Sequence, residues 1–206
     1  MAEGHGTGYG YNGKILRANL STGAISVEQP GDLFYRRYMG GWGIIGHYLL
    51  QELAPGVDPL GPENKLIFAT GVVTGAPIAG SGRSAVGAKS PLTGGFGAAE
   101  VGGFLGADLK RSGFDALIVE GVSEKPVYLW IKDGQAELRD ASGLWGKTTK
   151  ETLEALRQEL GDKRANAALI GPGGENMVKY ACVMDGLKDA AGRAGLGAVM
   201  GSKKLK

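Results

Sequence analysis

Apolar and polar residues alternate along Lys14–Asn19 (KILRAN), turn at Ser21–Thr22–Gly23 and alternate again over Ala24–Glu28. That period of two across a tight turn predicts a β-hairpin. From Asp32 the period lengthens. Leu33, Tyr38, Ile44, Ile45, Tyr48 and Leu49 fall mostly on one helical face, with Asp32 as the expected N-cap. The run Gly40–Gly41–Trp42–Gly43 breaks this pattern, so two helical pieces are expected, the second ending near Leu53. Lys65–Thr70 (KLIFAT) suits a buried strand, and Ser84–Lys89 a second. Gly103–Arg111 predicts a short helix and Asp115–Glu120 (DALIVE) a strand.

The same order then recurs. Val127–Ile131 and Gln135–Arg139 flank an Asp133–Gly134 turn and predict a second hairpin. Thr148–Leu160 is amphipathic, with Thr148 or Thr149 as N-cap and Glu151 near the position that closes a capping box. Asn166–Ile170 reads as a strand entering a Gly-rich turn, Lys179–Met184 as another strand, and Gly192–Lys203 as a Gly-rich helix start. The offset between the two series shrinks from 112 (Ile15 to Val127) to 89 (Gly103 to Gly192), so the recurrence is one of structure rather than of sequence. The first series has one strand more than the second, which stops at Lys206. The expected fold is α+β, an internal duplication of two hairpin–helix–strand units related by a pseudo-twofold axis, with sheets flanked by helices. The shorter second series suggests a fragment of a longer protein.

Composition narrows the function. The 206 residues include 38 glycines, far above the usual share of roughly 7%. Gly71–Gly106 is the densest stretch and carries a single Arg (Arg83), a single Lys (Lys89) and a single Glu (Glu100). Glycine at this density weakens regular structure but offers close backbone approach and free N–H groups, which suit a bulky, phosphate-bearing ligand. The expectation is half of a cofactor cradle. A net charge of +2 without a long basic run gives no case for nucleic acid. No apolar stretch approaches the ~18 residues that span a bilayer, so no membrane partner is expected. One cysteine, Cys182, rules out an internal disulfide and any iron–sulfur cluster made by this chain alone, and points to a reducing cytoplasm. Cys182 reads as a core residue, and His47 as a packing one. Neither Gly-rich turn has the strand–fingerprint–acid arrangement of a dinucleotide site.

The runs GKILRANLSTG (13–23), PENKLIFATG (62–71), AKSPLTGGFG (88–97), GGFLGADLKRSGFDALIVEG (102–121), EKPVYLWIKDGQAELRDASGLWGK (124–147), GPGGEN (171–176) and AAGRAGLGAVMGSKKLK (190–206) carry a family likeness. The chain resembles the N-terminal domain of tungsten-containing aldehyde:ferredoxin oxidoreductases over essentially everything after Tyr9. Residues 1–9 are expected to be a flexible N-terminus, and 10–206 the tungstopterin-binding domain. The resemblance implies a tungsten bis-molybdopterin cofactor, tungsten being preferred to molybdenum. Arg83 matches an arginine on a pterin phosphate. Gly102 with its neighbour Gly103, and Ala190 and Gly192, match backbone contacts to the cofactor.

Two departures stand out. Glu100 replaces an Asn beside a magnesium ion that bridges the pterin phosphates, and a carboxylate suits that hard cation. Asp189 replaces an arginine, leaving Lys188 or Arg193 as substitute cations. No catalytic residue is expected in this chain. By the resemblance, the whole enzyme oxidises an aldehyde with water to a carboxylate and passes electrons to ferredoxin through a 4Fe-4S cluster held in later domains. Those domains, ferredoxin and a homodimer mate are the expected partners. The competing expectation is a non-catalytic structural or assembly subunit with this fold and no cofactor.

Overall fold

The computed structural model describes residues 10–206. The expected flexible segment 1–9 lies outside the described residues. β1 (Ile15–Asn19) and β2 (Ile25–Glu28) form the first hairpin, whose turn is held by the Asn19 side chain accepting the Ser21 and Thr22 N–H groups at 3.0 and 3.2 Å. α1 (Asp32–Tyr38) and α2 (Gly41–Glu52) follow. The N-cap of α1 is Gly31, not Asp32; Asp32 sits in the first turn, where its charge still favours the helix dipole. β3 (Leu66–Thr70), β4 (Ser84–Lys89), β5 (Phe96–Val101), α3 (Leu105–Arg111) and β6 (Ala116–Glu120) complete the first half.

These strands make one six-stranded sheet in the order β2-β1-β6-β3-β4-β5. β6 runs parallel to β1, and every other neighbouring pair is antiparallel. β3 and most of β6 are buried on both faces, which explains why their sequences are continuous apolar runs rather than alternating ones. On one face Ile44, Ile45, Tyr48 and Leu49 of α2 pack against Ile15, Ile67 and Ile118. On the other face Leu16, Phe68, Val86 and Val119 meet Leu109 of α3 and also Leu196, Val199 and Met200 from near the far end of the chain. The second half therefore closes the core of the first.

That second half runs β7 (Val127–Lys132), β8 (Gln135–Asp140), α4 (Thr149–Leu160), β9 (Ala168–Leu169), α5 (Pro172–Glu175), β10 (Val183–Asp185), β11 (Asp189–Ala191) and α6 (Leu196–Ser202). β7 and β8 form a two-stranded sheet, with Val127 of β7 also bridged in parallel to Leu205, while β11-β10-β9 form a separate three-stranded antiparallel sheet. Leu153 and Leu156 of α4 pack over Tyr128, Leu144 and Leu169. The architecture is mixed α and β, with helices on both faces of the larger sheet.

β5 is the edge of the large sheet and β11 the edge of the small one, and the two edges lie side by side. Ser90 donates its hydroxyl to the Ala194 carbonyl at 2.8 Å across this seam.

Candidate functional site

An open concavity of about 360 Å³ lies at one end of β4 and β5. The N-terminus of α2 (Gly40–Gly43), the loop Gly71–Thr74, Gly80, Arg83 and Glu100 all line it. Gly40 is required here: its φ is +144°, and a Cβ would sit 2.4 Å from the Thr70 carbonyl oxygen. Only a glycine lets the α1–α2 turn lie against the end of β3. Hydrogen bonds fix the loop. Thr74 Oγ1 accepts from the Gly71 N–H at 2.7 Å and donates to the Arg83 carbonyl at 2.8 Å. From behind, the half-buried Lys110 ammonium donates to the carbonyls of Gly71 and Val72. Desolvation lowers the pKa of Lys110, partly offset by Asp115.

Of the expected site residues, Arg83 and Glu100 share this concavity, both exposed. Among the described residues, Arg83 is engaged in no ion pair. No side chain of the described residues caps α2; the Gly43 N–H is bonded to the Gly40 carbonyl at 3.0 Å, which leaves the Gly41 and Trp42 N–H groups of the first turn at the same opening. Trp42 lines the wall and meets Phe96, ring centroids 6.3 Å apart at 60°. Among the described residues, the arrangement is the Arg83 cation, the Glu100 carboxylate, the α2 N-terminus and the Trp42 ring.

Gly102 and Gly103 leave β5 towards α3 and face β10 and β11 across the seam. A Cβ on Gly102 would lie 3.1 Å from the Asp189 carboxylate, and one on Gly103 would lie 2.6 Å from that of Asp185. Ala190 is exposed on β11, and Lys188, Gly192 and Arg193 are exposed on either side of it. The structure thus brings Gly102, Gly103 and Asp189 together, beside the strand that carries Glu100. Lys188 and Arg193 form no ion pair among the described residues.

The residue that sequence reasoning missed is Asp185. It is 5% exposed, and its carboxylate accepts the N–H group of Leu105 (3.0 Å) at the start of α3. The Leu105 N–H at this Gly-rich helix start is thus already taken. Burial pushes Asp185 up to about 6, with Asp189 and Asp108 adding like-charge repulsion and the Leu105 N–H group opposing it. Its sequence signal, one Asp in a loop Met-Asp-Gly, is indistinguishable from a turn residue.

Among the described residues, no group of three or more His, Cys, Asp or Glu is placed to hold a metal ion. A cation at Glu100 would need most of its oxygens from a ligand, as Mg²⁺ does when it sits on phosphates.

This arrangement can be set beside known proteins. The family described as "Aldehyde ferredoxin oxidoreductase, N-terminal domain" matches residues 15–206. The chain belongs to that family. Tungsten-containing aldehyde ferredoxin oxidoreductases of Thermococcus kodakarensis and Pyrococcus furiosus are 52% and 50% identical to it over 96% of its length. A more distant relative, at 37%, is an aliphatic sulfonate oxidoreductase, WOR-like subunit, of Pyrococcus furiosus. A solved structure of the active-site complex BamBC of benzoyl coenzyme A reductase with 1,5-dienoyl-CoA superposes on 96% of the chain with a TM-score of 0.93 at 40% identity. As an aldehyde ferredoxin oxidoreductase N-terminal domain, the chain spans about a third of each of these relatives: 33% of the two aldehyde enzymes, 34% of the sulfonate enzyme and 30% of the solved chain. Among the described residues, no helix is long and apolar enough to cross a membrane.

Proposed function

We propose that the chain is the tungsten bis-pterin-binding domain of a longer cytoplasmic aldehyde:ferredoxin oxidoreductase. The observation that carries this reading is the pairing of the exposed, unpaired Arg83 with the uncapped N-terminus of α2 at one opening. A guanidinium fork and a helix N-terminus both favour a phosphate, and the fixed loop between them adds backbone groups without further ordering. The exposed Trp42 ring in the wall, backed by Phe96, offers an apolar face to a fused-ring group.

The same reading assigns a second phosphate-bearing side to the seam, where Gly102, Ala190 and Gly192 expose backbone and Lys188 or Arg193 supplies charge. Glu100 would hold Mg²⁺ between the phosphates. When bound, the cofactor supplies the oxygen-transfer and two-electron chemistry by which an aldehyde and water become a carboxylate. This chain's residues bind and orient it; the 4Fe-4S cluster, the substrate pocket and the contact with ferredoxin are assigned to later domains, and a homodimer is compatible with the reading. The antiparallel strands of the larger and the smaller sheet both end at the seam, which suits a large ligand that spans the two.

In the complete enzyme Arg83→Ala is expected to lower tungsten and pterin content at least fivefold with unchanged secondary structure. Full metal content in that variant would sink the assignment.

One observation favours a second reading, a structural or assembly subunit that binds no cofactor. The Asp189 carboxylate stands beside Gly102, where a phosphate would meet like charge. Pterin and tungsten analysis of the purified native protein separates the two readings directly.

A further inference from the structure

Among the described residues, two sheet edges in the second half, on β7 and β9, have no full strand paired on their outer side. Val127, the first residue of β7, turns its backbone away from β8: its N–H donates to the Lys204 carbonyl and its C=O accepts from the Lys206 N–H, both at 2.9 Å. This is a parallel bridge between Val127 and Leu205. Backbone direction alternates along a strand, so Leu129 and Ile131 turn their N–H and C=O groups to the same side. On β9 the Ala167 carbonyl accepts from Gly186, next to β10. Ala168 and Ile170, out of phase with Ala167, therefore turn away from β10. β7 ends one sheet on this side and β9 ends another. Yet both feed the same apolar layers, Val127, Leu129, Ala168 and Ile170 on one face and Tyr128, Trp130 and Leu169 on the other.

The first half shows what fits such a gap. Gly113 donates to the Lys110 carbonyl (3.0 Å), Phe114 to Leu109 (3.3 Å) and Asp115 to Lys14 on the hairpin side (2.8 Å), and the chain then enters β6 between β1 and β3. At an offset of 91 residues, Lys204 donates to Gly201 (2.9 Å), Leu205 to Met200 (3.2 Å) and Lys206 to Val127 (2.9 Å). Gly113 and Lys204 both have positive φ, +98° and +55°.

We propose that the gap between β7 and β9 is a strand-docking slot, and that its occupant is the segment following Lys206 in the longer polypeptide. That segment enters parallel to β7 and antiparallel to β9, as β6 does between β1 and β3. It is about five residues long and apolar on both faces, because it has a hydrophobic layer on each side. The inference rests on the chain being part of a longer enzyme and not on any cofactor.

The test is residue-resolved amide hydrogen exchange on the full-length protein purified without cofactor. The Leu129 and Ile131 amides are expected to exchange at least 100-fold more slowly than exposed amides, as are those of Tyr128 and Trp130 through β8. Proline at the second and fourth positions after Lys206 should abolish protection at Leu129 and Ile131 while leaving β1 and β6 unchanged. Unprotected Leu129 and Ile131 beside protected Tyr128 and Trp130 in the parent overturn the proposal. Protection that survives the prolines but is lost on dilution of a dimer also overturns it, giving the slot to a second copy. Tungsten and pterin content enters neither outcome, so this idea and the cofactor assignment fail separately.

Discussion

A carboxyl group that is only 5% exposed, as Asp185 is, must lose its charge or find donors. Asp185 finds the Leu105 N–H group, but burial and the neighbouring Asp189 and Asp108 still leave it near 6 rather than the ordinary 3.8. A folded-state pKa above the unfolded one means that the folded state binds the proton more tightly. The stabilising contribution is thus complete below about pH 4 and is lost as pH rises through 6. A shift of about two units corresponds to roughly 3 kcal/mol across that window. Asp185→Asn keeps an oxygen to accept from Leu105 and removes the titration. The variant should therefore gain on the parent by about 2–3 kcal/mol between pH 4 and pH 7, read from urea midpoints at several pH values. A parent–variant difference that is flat with pH would show that the buried carboxyl does not carry this linkage.

At the scale of elements, α4 depends on sequence signals that act locally. Thr148 accepts from the Glu151 N–H, and the Glu151 carboxylate accepts from the Thr148 N–H at 2.8 Å, closing a capping box. Thr148→Ala is expected to cost about 1 kcal/mol and lower Tm by a few degrees, measurable by circular dichroism. Such local signals are what the sequence displays openly. Both hairpins, the strand Ser84–Lys89 and α4 follow from period and turn chemistry to within a residue or two. β5 and β11 do not. FGAAEV and DAA lack large alternating side chains and become strands because β4 and β10 supply their hydrogen-bonding partners. The Gly192–Lys203 helix begins only at Leu196, since Gly195 is left-handed at φ +68° and its surroundings admit no side chain. The site was legible in the same unequal way. Arg83 and Glu100 stand out as lone charges among glycines, but Asp185 acts through residues eighty positions away, a relation that no local pattern displays.

At the scale of the whole molecule, the six-stranded and three-stranded sheets meet at their edges, and the proposed cofactor contacts lie on both sides of that meeting. If a bis-pterin bridges it, the spacing across the seam matters as much as any single contact. Ser90, fully buried, sets that spacing: its hydroxyl donates to Ala194 on the far side and accepts the N–H groups of Leu92 and Thr93 at 3.2 and 3.1 Å. Neither Ser90 nor Thr148 lines the concavity. Ser90→Ala removes three hydrogen bonds from a buried hydroxyl and should cost roughly 1–3 kcal/mol, a range that includes the cost of losing the Thr148 cap. The two variants thus give comparable destabilisation, one at the seam and one remote from it. In the complete enzyme Ser90→Ala should lose at least threefold more tungsten and pterin than Thr148→Ala at matched denaturant midpoints. Equal losses would mean that retention follows global stability alone, and the seam would then be a packing interface with no part in holding the cofactor.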